Sequence, residues 1–441
     1  MILYSSDITP RLRWIICFFN DQLFEATAGA SIRITSDKAE FEMDPGPRIN
    51  YSRDLVPNVF NIRPTGLLFE TGIKPQSVTC FECEGRKAFF PTEGDLPFDI
   101  FAAAFYLLSR YEEYLPHEKD SYGRFAHTGS LAWREGFLDI PLVNYWLQHL
   151  RVALNRKYPD LIFRYTAFKF IPTYDIDSAW SFLHKGWRRN LGAAAKSVAK
   201  GQWRQFWNRI AVLRGRLPDP FDAYEWLDSL HLYCRLRPYY FFLVASRCVG
   251  VDRNISLSSP AFQRLIQYHA TGSRLGIHPS WRSGDDGRLL REEIEWLEVI
   301  AGQSITRSRQ HYIRLALPET YRCLLQFGIR QDFSMGYGSI NGFRASAASS
   351  YYWYDLVKEE TTALRIFPFC FMDANSYYEQ RYTAPRAMTE LMHYYRQVRA
   401  VNGLMVTIWH NSFLGSEAAF AGWREVYEVF LKEEVFWYGN F

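Results

Sequence analysis

Cysteine is scarce and unpatterned. The seven residues, Cys17, Cys80, Cys83, Cys234, Cys248, Cys323 and Cys370, are an odd number without regular spacing. That excludes a disulfide framework as the basis of the fold. Cys80 and Cys83 form a lone CxxC pair, half of what a four-ligand structural zinc site needs, so ordinary buried thiols are expected. An excess of one charge is also lacking. A formal net charge of +4 over 441 residues is too weak to mark a nucleic-acid-binding chain. Apolar runs such as FAAAFYLL and YYFFLV fall well short of the roughly 20 residues of a spanning helix. The opening residues, MILYSSDITPRLRW, lack the basic, apolar and small-residue order of a secretory signal. A soluble, cytoplasmic chain is the expectation.

Aromatic material is plentiful. Apolar residues make up 48% and aromatics 17%, enough for large cores and for flat faces lining a sugar cleft. The length exceeds one ordinary domain, yet no Gly/Ser linker divides the chain. Residues 1–165 read as a mixed α+β unit. ILYSS, SIRIT and GLLFE are short strand-like runs, LPFDIFAAAFYLLSRYEEYL is a long helical pattern, and NYWLQHLRVALNRKY is a second helix. From 166 to 441 strand and helix patterns alternate. FKFIPTYDID, RPYYFFLVA, SRLGIHPSW, SITRSRQHYI, QDFSM and LMVTIWHNS are the strands. Such alternation predicts a parallel α/β sheet, open or closed into a barrel, with its chemistry at the carboxyl ends of the strands. Residues 184–216 interrupt the series after the first strand. They hold nine Lys or Arg, no Asp or Glu, and interleaved Trp187, Trp203, Phe206 and Trp207. Two readings stay open there: a solvated helical flap, or a contact with an anionic surface such as a membrane face.

The strand ends collect polar groups. TYDID supplies Asp175 and Asp177, GIHPSW supplies His278, SRQHY supplies Arg309 and His311, QDFSM supplies Asp332, and IWHN supplies His410. One such residue is usually structural. The whole set at one sheet end suits a metal site with an acid/base pair. Carboxylate and imidazoles can hold a divalent ion with a position left for water. A second carboxylate and an opposing His can then move protons. Asp332, Trp281, Tyr337, Arg344 and Trp409 are further candidates for substrate contact. Asp373, and the helix residues Arg110, Glu112 and Glu113, are expected to be structural, the last three in surface or interdomain ion pairs.

Residues 166–415 resemble the polysaccharide deacetylases, carbohydrate esterase family 4, the NodB-homology proteins. TYDID stands where their TFDDG motif lies, GIHPSW resembles H-S/T-x-x-H, SRQHY resembles R-P-P-Y, and TIWHNS resembles L-x-H. FYLLSRYEEY, GRFAHTGSLA and GFLDIPLVNYW resemble a companion domain found ahead of such modules in bacterial surface-polysaccharide proteins. The resemblance implies a distorted (β/α)7 barrel preceded by a smaller α+β domain. It implies removal of an acyl, typically acetyl, group from a sugar of a polysaccharide or of its lipid- or nucleotide-linked precursor, with a divalent metal, expected to be zinc. Asp175 would be the base, Asp177 and His278 metal ligands, Arg309 the orienter of the base, Tyr312 a neighbour of the oxyanion position and His410 the acid. The family's second motif histidine falls at Arg282, which cannot ligate a metal. His311 is the expected replacement. Two alternatives remain at this stage: a glycan-binding relative with a degraded site, and a glycosidase using Asp175 and Asp332 as its carboxylate pair. The expected location is cytoplasmic, peripheral to the inner membrane if residues 184–216 make such a contact.

Overall fold

The computed structural model describes residues 1–24, 31–164 and 166–436. Near its start, β1 (Ile2–Tyr4), β2 (Arg33–Thr35), β3 (Arg48–Asn50) and β4 (Phe60–Asn61) form a parallel sheet of order β2-β1-β3-β4. The hairpin β5 (Phe81–Cys83) and β6 (Arg86–Ala88) follows. GLLFE, expected as a strand, is instead a 3₁₀ turn over Leu67–Phe69. The long helical pattern also breaks. Its helix spans Ile100–Leu108, and Arg110 then adopts φ 57°. That turn folds the Arg110 guanidinium back onto Glu112 at 2.9 Å and Glu113 at 2.7 Å.

The larger sheet has nine strands. They are β7 (Lys169–Ile176), β8 (Tyr239–Leu243), β9 (Arg274–His278), β10 (Arg307–Ser308), β11 (Gln331–Asp332), β12 (Tyr351–Asp355), β13 (Glu360–Ile366), β14 (Phe371–Met372) and β15 (Leu404–His410). Their order is β12-β13-β11-β10-β9-β8-β7-β15-β14. All pairs are parallel except β12 with β13, a hairpin that the alternating pattern did not reveal. Among the described residues no ladder joins the edge strands β12 and β14, so strand pairing does not close a barrel. The sheet nevertheless curls strongly. Phe241 of β8, Val406 and Ile408 of β15, Met372 of β14 and Phe333 beyond β11 share one inner cluster.

Alternation along each strand sorts side chains between the two faces. In β8, Phe241 points inward while Tyr240 and Phe242 join the outer core, which accounts for its continuous apolar run. Gly276 makes room for that packing, because a Cβ there would lie 2.4 Å from the Phe241 ring. Pro172 sits inside β7, where a missing N–H would normally cost a ladder bond. It pairs with Thr407 of β15, but pairing to β8 begins only at Thr173. The two parts of the chain share one core. Trp14, on the helix Pro10–Leu23, packs against Tyr351 and Tyr354 and donates its indole N–H to the Tyr352 carbonyl at 2.9 Å.

Candidate active site

Three strands deliver the first side chains. β7 ends at Ile176, so Asp175 and Asp177 project on the same inner side. β9 ends on His278. β10 ends at Ser308, and the backbone turns at His311–Ile313 with Tyr312 at φ 58°. As a result, ligating atoms of Asp177, His278 and His311 all lie within 4.8 Å of one another. His278 Nε2 is 3.1 Å from Asp177 Oδ1, and His311 Nε2 is 3.8 Å from the same oxygen.

Each imidazole is held by its other nitrogen. His278 Nδ1 donates to the Arg309 carbonyl at 2.7 Å. His311 Nδ1 lies 3.0 Å from Asp252 Oδ1, which also accepts the Trp281 backbone N–H at 2.8 Å. Such partners fix the tautomer and leave Nε2 free as a ligand. Asp177 Oδ1 is buried and faces His278 Nε2 at 3.1 Å, a nitrogen with no proton to give when Nδ1 donates to the Arg309 carbonyl. The oxygen then lacks a hydrogen bond, a costly state that a cation would relieve. Donor types, orientation and the orphaned oxygen therefore all fit a divalent ion. Burial alone would raise the Asp177 pKa. The imidazoles of His311, His278 and His410 outweigh it and hold Asp177 well below the usual carboxylate range.

Two proton-handling groups flank this trio. Asp175 accepts from Arg309 Nη1 at 2.9 Å, and the same nitrogen donates to Thr173 Oγ1 at 2.7 Å. Arg309 is fully buried and its guanidinium also lies over the Phe241 ring, 4.5 Å from the centroid. On the other side His410 Nε2 is 3.6 Å from Asp177 Oδ2. Its Nδ1 meets Asp373 Oδ1 at 2.6 Å, and its backbone N–H donates to Asp373 Oδ2 at 2.7 Å. Burial opposes protonation of His410, but Asp373, then Asp177 and Asp175, push its pKa up to about 10.

Asp175, Asp177, His278, His311 and His410 line a cavity of about 530 Å³, together with Tyr122, Arg124, Tyr312, Tyr378, Arg381 and others. Tyr122 and Arg124 come from the first part of the chain. Arg124 Nη1 donates to the Tyr312 carbonyl at 2.6 Å, while its Nε donates to Asp120 at 2.7 Å.

Several expected contacts are placed elsewhere. Trp409 neighbours His410 in a strand and so faces outward, where it packs against Tyr427 and Trp423 in the core. Tyr337 and Arg344 are buried beside Arg110 and Glu113. Arg344 pairs with Glu113 at 2.5 Å. Asp332 is fully buried, accepts from Ser308 and Ser334, and does not line the cavity. It therefore makes no glycosidase pair with Asp175. Trp281 packs edge-on against Tyr312 at 5.6 Å and does not line the cavity. Arg282 is exposed. Asp252, Asp373, Tyr122 and Arg124 contribute to the site although no motif marked them for that role. The residues Cys80 and Cys83 are half-buried free thiols.

Fold and site together define an α/β protein with an Asp-His-His trio able to hold a divalent metal ion. A family model described as a family of unknown function, DUF7033, matches residues 1–159. No curated protein matches the chain. Among solved structures, a protein assigned as a polysaccharide deacetylase from Mycobacterium smegmatis shares 15% identity, covering 61% of this chain and 85% of its own, at a TM-score of 0.39. Puue allantoinase shares 10% identity, covering 63% and 87%, at a TM-score of 0.38. Neither likeness bears on the chemistry, which the side chains must supply.

Proposed function

We propose that the chain is a metal-dependent hydrolase that removes an acyl group, typically acetyl, from a sugar of a surface polysaccharide or of its precursor. The observation that carries this reading is the convergence of Asp177, His278 and His311 between an arginine-held Asp175 and an aspartate-held His410. One carboxylate and two imidazoles suit zinc. When bound, such an ion polarises a carbonyl and brings a water's pKa toward neutrality.

The chain's own groups would do the rest. Asp175, fixed by Arg309, accepts the attacking water's proton. His410, kept protonated by Asp373, donates to the departing amine or alkoxide. Tyr312 forms the cavity wall near the acyl oxygen. Residues 166–441 would be the catalytic unit, a distorted (β/α)7 barrel opened between its edge strands β12 and β14. Residues 1–165 would be a companion unit that completes the cavity through Tyr122 and Arg124. The resemblance of TYDID, GIHPSW, SRQHY and TIWHNS to deacetylase motifs favours acyl transfer to water over other metal-assisted hydrolyses.

The test is acetate release by zinc-loaded protein from N-acetylated and O-acetylated oligosaccharides. The expected result is acetate release that Asp175→Asn abolishes while zinc content is retained. Zinc-loaded protein that releases no acetate from any of them would overturn the reading.

A further inference from the structure

The hairpin formed by the helices Trp187–Ala199 and Trp203–Leu213 packs inside out. An amphipathic helix on a globular protein normally turns its large apolar side chains inward. Here the buried positions are Asn190, Ala194 and Ser197 on one helix and Arg209 and Val212 on the other. The large apolar groups face out: Trp187 is 71% exposed, Leu191 63%, Trp203 55% and Trp207 62%. Trp187 with Leu191, and Trp203 with Trp207, are spaced four apart, so each pair sits on one helix face. Around them the segment carries nine Lys or Arg and no acid.

We infer that this hairpin is a docking surface for an anionic lipid bilayer. Exposed indoles beside cations, on helices lying along a surface, are the chemistry by which a protein inserts shallowly among anionic headgroups. Charge complementarity selects the occupant, because nothing on the hairpin would repel phosphate. No described helix is long and apolar enough to cross a membrane, so attachment would be peripheral. The root of the hairpin is firmly tied to the sheet end. Arg189 donates to the Asn254 carbonyl at 2.9 Å, while Arg209 donates to Asn190 at 2.9 Å and joins the two helices to each other. Asn254 in turn donates to the carbonyls of Ile176 and Leu243. It lies two residues from Asp252, which holds His311. The docking face thus stands at the same end of the sheet as the cavity, which would present the cavity to substrates carried at the bilayer surface.

The test needs no activity. Full-length protein is sedimented with vesicles of phosphatidylcholine alone or with phosphatidylglycerol added. The expected result is binding at least about tenfold tighter to the anionic vesicles, weakened by salt, with tryptophan fluorescence quenched by brominated lipid. A Trp203→Ser/Trp207→Ser variant should bind about tenfold more weakly at unchanged circular dichroism. Equal binding to both vesicle types would overturn the inference. So would binding to soluble dextran sulfate as tight as to vesicles, without bromine quenching, which would assign the face to an acidic polymer.

Discussion

Asp252→Asn isolates the orientation of one candidate ligand from its presence. Asp252 is buried and touches His311 Nδ1 at 3.0 Å. Asparagine has nearly the same shape and keeps an oxygen to accept the His311 and Trp281 N–H groups. Only the charge is lost, and with it part of the basicity that Asp252 lends His311 at Nε2. Replacing such a partner typically costs 10–100-fold in metal affinity, or about 1.4–2.7 kcal/mol. Zinc affinity of the apo-protein would be measured by competition with a chromophoric chelator. Asp160→Asn, at an exposed position, serves as the control and should leave affinity unchanged. His311→Ala should weaken zinc binding further than Asp252→Asn. Unchanged affinity in Asp252→Asn would refute the argument that Asp252 prepares His311 as a ligand, and unchanged affinity in both would remove His311 from the site.

Three other outcomes follow from the same geometry. His410→Gln should lower kcat for acyl release by roughly 10²–10⁴ at unchanged zinc content; equal loss of metal would instead make His410 part of the ion's cage. Glu113→Ala strands the buried Arg344 and leaves Arg110 with Glu112 alone; it should cost about 3–5 kcal/mol in urea unfolding, against a null result if the Arg344 charge finds water. Acid should destabilise the fold through His231 and His269, whose pKa values burial pushes down to about 3 and about 4. An unfolded histidine titrates near pH 6.5, so this stability is complete above that pH and is lost as pH falls toward the folded values. His269→Phe should therefore shallow the slope between about pH 6 and 4 by about 1.4 kcal/mol per pH unit, and an unaltered slope would contradict the assignment.

How legible the site was depended on distance from the strands. Asp175, Asp177, His278 and His410 follow apolar runs buried on both faces, so their placement at one sheet end could be read from alternation and run length. His311 required more, because its turn carries Tyr312 and Ile313 at positive φ, which no residue type there announces. Asp252 and Arg124 lie on connections whose positions depend on the assembled fold, whereas Asp373 follows β14 directly, a strand end whose residue reads as structural in the sequence. Trp409 shows the opposite error. Its place beside His410 already assigned it to the outer face, and aromatic content alone suggested a cleft. Arg110 and Glu113 lay in what reads as one uninterrupted helix; the left-handed turn at Arg110 folds that pair together, and Arg344 reaches Glu113 from the second part of the chain. The β12–β13 hairpin escaped because a parallel series carries no local signal for one antiparallel edge.

The central claim is that Asp177, His278 and His311 cage a divalent cation. Zinc-soaked crystals of the full chain, recorded at the zinc absorption edge, test it most directly. The account predicts one anomalous peak within bonding distance of Asp177 Oδ1 and both Nε2 atoms, absent in Asp177→Ala. A cavity without such a peak, or a peak unaffected by that substitution, would contradict it.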